Sequence, residues 1–338
     1  MPQPNWPSQP GWGQPRPPIA PQPNNGWIIV AIILVVTIAV MGAGIVAIAR
    51  PWEPLPAPPI PTPSPASPTP TPAGTPNDDR YWVPGPPDLN PNHPAWPQPD
   101  QIKGLLEQNP LYNQVIPTAD CALRQIDLPT ASIDALEQYL NDVMACLMYV
   151  WYTPVYDAGY QMPRPSVTVY SSPTKTPCGQ VEELVRAYYC PTNQQIYFGI
   201  ELMTSYGRYS GERAVVLYIL AHEYAHAVQY RTQILGSQLV LFPNADSEAD
   251  AAESNRRLEL QADCWSGAAL NAMRESLGLT NTEQEHAVNS RANAGDPTPD
   301  PLGSHGSGPT GARWLRIGFG ANSPGTCNTW IVPYDEVT

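Results

Sequence analysis

The hydrophobic pattern predicts a C-terminal part made mainly of helices. The stretch from Glu212 to Arg231 contains no Gly or Pro, and its first half is almost wholly apolar, which predicts a helix buried on most sides. Apolar residues spaced three and four apart predict an amphipathic helix over Asp134–Trp151. Further helices are predicted over Asn255–Met273, Thr282–Arg291 and Thr310–Gly320.

Short runs of β-branched and aromatic residues predict a small sheet ahead of the buried helix. The predicted strands are Val167–Tyr170, Ala187–Cys190 and Gln195–Phe198. The last two are joined by the turn-forming stretch Pro191–Gln194, so they are expected to pair with each other. Together these elements predict an α+β fold that is mainly helical with a small sheet.

The N-terminal part of the chain has a different pattern. Residues 1–26 are rich in Pro, Gln and Asn with one charged side chain, Arg16, which predicts a disordered cytoplasmic tail. Residues 27–49 are uncharged and almost wholly apolar, and Trp27 and Trp52 flank them as interfacial anchors, which predicts a single transmembrane helix. Ala47–Ala49 has the small-x-small form of a signal-peptide cleavage site, so a cleaved signal peptide is the alternative.

The region after the apolar span divides into a linker and a folded domain. Residues 50–99 are rich in Pro, Thr and Ser, which predicts an extended linker, and the folded domain is expected over residues 100–338. All six cysteines lie in this domain, and an even number without a C-x-x-C pattern favours disulfides in an extracytoplasmic domain. Buried free thiols in a cytoplasmic domain are the alternative. Of the many possible pairings, we expect Cys121–Cys146, Cys178–Cys190 and Cys264–Cys327.

Candidate metal chemistry lies in the buried helix. Residues 222–226 read His-Glu-Tyr-Ala-His, the H-E-x-x-H pattern. Residues four apart share a helix face, so His222 and His226 can hold one metal ion, while Glu223 can take a proton from a water on that metal. The pattern has few fixed positions and also occurs in helices that bind no metal, so a third ligand is needed.

The next predicted helix offers that ligand. Glu259 and Asp263 lie four residues apart on one face, and Glu259 fits as the third ligand of a zinc hydrolase, which leaves the fourth position to water. Asp263 fits as the carboxylate that orients a ligand His through its distal N–H. A solvated acidic stripe is the alternative, since Glu248, Asp250 and Glu253 lie close by.

Two more groups of residues extend this pattern beyond Glu259–Cys264 and the H-E-x-x-H block, which runs on to Val228-Gln229. They are Tyr189-Cys190-Pro191 with Ile196-Tyr197, and Gly303-Ser304-His305-Gly306-Ser307 with Arg313-Trp314, Gly318-Phe319 and Cys327-Asn328-Thr329. With these blocks the chain resembles the bacterial neutral zinc metallopeptidases, a gluzincin-like group, over roughly residues 100 to 331. It departs from that pattern at Ala225, Ala227 and Arg186-Ala187, none of which is a proposed ligand.

The resemblance implies a zincin-like metallopeptidase domain. In such a domain a sheet lies against the zinc helix, and its edge strand pairs with an extended peptide substrate. The resemblance also implies that His305 donates a hydrogen bond to the oxyanion of the tetrahedral intermediate. By itself, a His in a Gly- and Pro-rich loop is more typical of a solvated surface.

These features predict a membrane-anchored, extracytoplasmic metallopeptidase that holds one Zn²⁺ per chain and hydrolyses peptide bonds. Glu223 would act as general base and then pass its proton to the leaving amine. His and Glu ligands also suit other divalent metals. The formal net charge of −13 argues against nucleic acid as a partner, which leaves a peptide or protein substrate. Two alternatives are a catalytically silent, zinc-bearing binding protein of the cell envelope and a structural envelope protein that binds no metal.

Overall fold

The computed structural model describes residues 91–121, 123–204, 213–296 and 302–338. The predicted tail at residues 1–26, the predicted transmembrane helix at residues 27–49 and most of the linker lie outside these ranges. Among the helices within them, none is both long enough and apolar enough to cross a membrane.

Most of the described chain is helical. In chain order the α-helices are α1 (Ile102–Glu107), α2 (Ile133–Asp157), α3 (Glu201–Thr204), α4 (Arg213–Arg231), α5 (Ile234–Leu241), α6 (Glu248–Ala272), α7 (Arg274–Leu277), α8 (Asn281–Ala292) and α9 (Gly308–Gly318). Each helix that the sequence predicts within the described residues is present. The helix α6 begins seven residues earlier than predicted, because the Ser247 hydroxyl caps it by accepting a hydrogen bond from the N–H of Asp250. The acidic residues Glu248 and Asp250 therefore occupy its first turn, where the helix dipole favours negative charge.

In the described part of the chain, five short strands form two sheets. They are β1 (Val167–Tyr170), β2 (Thr174–Thr176), β3 (Gly179–Val181), β4 (Ala187–Cys190) and β5 (Gln195–Gly199). In the larger sheet β5 is central, with β1 parallel to it on one side and β4 antiparallel on the other, so the expected β4–β5 pairing is confirmed. The sequence pattern did not predict the hairpin of β2 and β3, because its three-residue strands are too short to show alternation.

The helix α4 lies at the centre of the domain. All but a few of its side chains are buried, and it packs against α2, α6, α8 and the edge strand β4. The helix α6 is covered in turn by α9, and the two helices cross closely. A Cβ atom on Gly318 of α9 would lie 2.0 Å from the carbonyl oxygen of Cys264, and one on Gly267 of α6 would lie 2.4 Å from that of Leu315. Only glycine at these two positions lets the helix backbones approach so closely, which fixes α6 and its carboxylates in the core.

The three expected disulfides are confirmed. Cys121–Cys146 joins the chain ahead of α2 to α2, Cys178–Cys190 joins the loop between β2 and β3 to β4, and Cys264–Cys327 ties the C-terminal segment to α6. Their Cα–Cα distances of 5.7, 5.8 and 5.5 Å are normal for disulfides. Two of the three disulfides thus fix elements that border the candidate metal centre, β4 and α6.

Contacts with the domain begin upstream of the expected boundary at residue 100. Nε2 of Gln194 donates to the Pro91 carbonyl (3.0 Å), and Nη1 of Arg231 donates to the Asn92 carbonyl (2.6 Å). The His93 imidazole is hydrogen-bonded to the hydroxyl of Tyr230 (2.8 Å). The last residues assigned to the linker therefore lie against the end of α4.

Candidate metal centre

Three predicted ligands meet between α4 and α6. The Nε2 atoms of His222 and His226, one helical turn apart on α4, lie 3.2 Å from each other. The Oε2 atom of Glu259 on α6 lies 3.2 Å from Nε2 of His222 and 3.4 Å from Nε2 of His226. Within the described residues this is the group of side chains whose ligand atoms converge well enough to hold a metal ion.

The dimensions of this triangle fit tetrahedral zinc. Tetrahedral zinc binds imidazole nitrogen and carboxylate oxygen at about 2.0–2.2 Å, which places neighbouring ligand atoms about 3.3–3.5 Å apart. The observed separations of 3.2–3.4 Å match this spacing. Two imidazoles and one carboxylate also form the ligand set of a catalytic zinc site, in which the fourth position is left for water or substrate.

The orientation of His222 is fixed by Asp263. Its Nδ1–H donates to Oδ1 of Asp263 (3.0 Å), which leaves Nε2 directed at the other ligands. The Asp263 side chain is fully buried and also accepts from the Tyr218 hydroxyl (2.7 Å) and from Nε of Arg291 (2.8 Å). Asp263 thus has the contact that the sequence predicted for it, while Tyr218 and Arg291 were not foreseen.

The second imidazole is oriented by an amide. Nδ1 of His226 donates to Oε1 of Gln229 (2.8 Å), and Gln229 is completely buried. Its Nε2 donates to the Leu258 carbonyl and to Oε1 of Gln261, which fixes which end of the amide faces His226. No role is predicted for Gln229 from the sequence, although its position one turn after His226 could have indicated one. Each ligand His therefore has its own hydrogen-bond acceptor behind it.

The carboxylates make the centre a strong site for positive charge. Burial lowers the pKa of His222, but hydrogen bonds to Asp263 and Glu259 outweigh burial and raise it to about 10. Burial raises the pKa of Glu259, but the two imidazoles outweigh it and hold this pKa well below its ordinary value. A divalent cation is stabilised by the same carboxylates but must displace protons from the imidazoles, so its affinity falls as the pH falls.

Glu223 lies beside the ligands and is held by the sheet. The backbone N–H of Tyr189 in β4 donates to its Oε2 (2.7 Å), and the side chain lines the same cleft as the three ligands. Tyr189 pairs with Ile196 of β5 on its other side, so this N–H belongs to the free edge of the sheet. The backbone of the edge strand thus fixes the carboxylate that is expected to act as general base.

A cleft of about 830 Å³ lies over the ligands. Strand β4 forms part of its wall, together with apolar residues of α4 and α5 and the loop that carries His305. The His305 side chain is 61% exposed, and its Nδ1 is hydrogen-bonded to the hydroxyl of Ser304 (2.9 Å). The structure therefore places His305 at the same cleft as His222, His226 and Glu259 but outside the ligand triangle.

Replacing Asp263 by Ala should weaken zinc affinity by about 10- to 100-fold, because His222 loses the group that orients it. Titration of the metal-free protein with zinc, in competition with a chelator of known affinity, measures the change. Ser266→Ala is the matched control, since this buried hydroxyl of α6 donates to the backbone carbonyl of Asp263 and not to its carboxylate. Equal zinc affinity in Asp263→Ala and the wild type would show that Asp263 does not orient the ligand.

The fold and the site define a mainly helical α+β domain with a His₂Glu centre of the kind found in zinc hydrolases. The sequence model described as "Putative neutral zinc metallopeptidase" matches residues 113–330, and the chain belongs to this family. No solved structure matches the chain.

Similar proteins are found in enterobacteria and mycobacteria. Over 209 residues the chain is 25% identical to "Uncharacterized protein YpfJ" of Escherichia coli K12, covering 58% of this chain and 72% of that protein. Over 190 residues it is 30% identical to "Uncharacterized protein Rv2575" of Mycobacterium tuberculosis H37Rv, covering 49% of this chain and 62% of that protein. "Uncharacterized protein Mb2605" of Mycobacterium bovis matches to the same extent.

Proposed function

We propose that this protein is a zinc-dependent peptidase with a zincin-like catalytic domain. The observation that carries the proposal is the ligand triangle of His222, His226 and Glu259 with Glu223 beside it in one cleft. Each ligand and its orienting group lie on rigid helices, which is the arrangement that holds a catalytic metal in place. Membership of the family supports the same class of reaction.

The residues around the cleft have defined tasks in this reaction. A zinc ion held there would lower the pKa of a bound water to about 7 and polarise the carbonyl of the scissile peptide bond. Glu223 takes the proton from the attacking water, and the N–H of Tyr189 keeps its carboxylate in place. Glu223 then gives this proton to the nitrogen of the leaving amine, so the peptide C–N bond breaks and one water is consumed.

His305 is proposed to stabilise the oxyanion that forms at the carbonyl carbon. The support is its position at the cleft and its exposed imidazole, which leaves Nε2 available to donate a hydrogen bond when protonated. The backbone carbonyls of residues 303–305 accept hydrogen bonds from side chains of α6 and α8, so the imidazole is presented from a fixed backbone.

The substrate is proposed to bind along β4 as an added strand. Residues 187–189 line the cleft, and β5 occupies only one edge of β4. The outward-facing backbone groups of Ala187 and the carbonyl of Tyr189 would pair with an extended peptide, which supplies affinity without dependence on sequence. An extended segment of a peptide or protein is therefore the proposed substrate.

Removal of the metal should abolish hydrolysis. We expect purified protein to cleave members of a peptide library, to lose this activity with a zinc chelator and to regain it with about one equivalent of Zn²⁺ per chain. Mass spectrometry of the products gives the cleavage sites and hence the preference of the enzyme. Cleavage that continues unchanged in the metal-free protein would show that the activity comes from another site or from a contaminating protein.

The catalytic domain is further proposed to lie outside the cytoplasm on a single-pass anchor at residues 27–49. The support is the apolar pattern of that segment and the three disulfides, which persist in oxidising compartments. Protease added to cells that have lost their outer envelope but keep an intact plasma membrane should degrade the domain, while cytoplasmic markers survive. Protection of the domain until the membrane is lysed would reverse the proposed orientation.

A further inference from the structure

Arg291 lies where the metal centre meets the loop that carries His305. Its side chain is only 7% exposed. Nε donates to Oδ2 of Asp263 (2.8 Å), Nη2 donates to the carbonyl of His305 (2.9 Å), and Nη1 donates to the carbonyl of Ala294 (2.7 Å). One guanidinium therefore bonds the carboxylate that orients His222 and the backbone of the residue proposed to bind the oxyanion.

The surroundings of this guanidinium fix its position. A Cβ atom on Gly311 of α9 would lie 2.0 Å from Cζ of Arg291, so the helix backbone packs directly against the group. The guanidinium is planar and rigid, and its donors have fixed directions relative to one another. Asp263 and the His305 carbonyl are consequently held in a fixed relation through Arg291.

The loop itself is held by side chains of two helices. Three consecutive carbonyls, those of Gly303, Ser304 and His305, accept hydrogen bonds from Arg256, Asn255 and Arg291 in that order. The first two donors belong to α6, which also carries Glu259. Arg291 belongs to α8 and differs from them in also bonding Asp263, so it is the donor that joins the loop to the hydrogen-bond chain behind His222.

We propose that Arg291 is a positioning residue that sets the orientation of His222 through Asp263 and the position of His305 through its backbone. The inference rests on the proposed function, because it assigns Arg291 to the same hydrolytic machinery. It requires that zinc affinity depend on Arg291 only while Asp263 is present. It also requires that turnover of the zinc-loaded enzyme depend on Arg291 through His305.

A double-mutant cycle in the full-length protein tests the first requirement. Arg291→Met should weaken zinc affinity by about tenfold or more, as expected for a group that supports a metal ligand. In the Asp263→Ala background the same substitution should change zinc affinity by no more than about twofold, since the two residues act as one unit. The double variant lacks both partners of the buried ion pair between Arg291 and Asp263, so it leaves no unpaired charge in the core. It is therefore expected to fold even where a single variant does not.

Kinetics at saturating zinc test the second requirement, with a peptide that the wild type cleaves. Arg291→Met should lower kcat with KM changed by no more than about twofold, and should lower it no further in a His305→Ala background. Arg256→Met is the matched control, a buried arginine that bonds the same loop, and it should leave zinc affinity unchanged.

Wild-type zinc affinity in Arg291→Met, or independent losses that multiply in the double variants, would overturn this inference. A wild-type protein that neither binds zinc nor cleaves peptides would instead overturn the proposed function.

Discussion

Glu223→Gln should lower kcat for peptide hydrolysis by about 10²- to 10⁴-fold, the contribution typical of a general base. The substitution keeps the size of the side chain, and the amide oxygen can still accept the N–H of Tyr189, so the cleft keeps its shape. It removes only the capacity to take a proton from water and return it to the leaving amine. Steady-state kinetics on a peptide cleaved by the wild type measures the effect.

Two further measurements show whether the loss of turnover in Glu223→Gln comes from the missing base alone. Glu223→Gln should retain about one zinc per chain, because Glu223 is outside the ligand triangle. Glu285→Gln, a change at an exposed carboxylate of α8, should leave both kcat and zinc content unchanged. Turnover by Glu223→Gln within about twofold of the wild type would assign the base to another residue.

His222→Ala should reduce the zinc content from about one per chain to nearly none. The substitution removes one ligand of three and also deprives Asp263 and Glu259 of a hydrogen-bond donor within the buried centre. Elemental analysis after dialysis measures the change, together with a thermal melt to show that the variant is folded.

His305→Ala is the matched control for this loss. It also removes an imidazole from the cleft, but from the exposed rim, so the zinc content should stay at about one per chain. Full zinc occupancy in His222→Ala would exclude the proposed triangle. Loss of zinc in His305→Ala would instead make His305 a ligand.

The parts of the fold that depend on local spacing could be predicted from the sequence. The four-residue spacing of His222 and His226 needs only a helix to bring them together, and the same holds for Glu259 and Asp263 on α6. Small residues at 266–268 are a local signal for a close helix contact, which α9 makes. The even number of cysteines predicted disulfides, but the expected pairing of neighbouring cysteines was one of many that the sequence allows.

Contacts between distant or backbone groups could not be predicted in this way. Arg291 sits in a polar helix with no pattern that separates it from a solvated arginine, and its role depends on α8 packing beside α6. The bond from Tyr189 to Glu223 uses a backbone N–H, which every residue except proline offers. The parallel pairing of β1 with β5 joins segments far apart in sequence, and no local pattern specifies it.

X-ray absorption at the zinc edge of the purified full-length protein is a direct test of the His₂Glu centre, since it reports the atoms around the metal. The ligand set of His222, His226 and Glu259 predicts about one zinc per chain with four nitrogen or oxygen neighbours at about 2.0–2.2 Å, the outer-shell scattering of two imidazoles, and no sulfur. In His226→Ala the imidazole scattering should disappear together with the zinc. Sulfur neighbours at about 2.3 Å, or zinc without imidazole in the wild type, would show that the metal binds elsewhere.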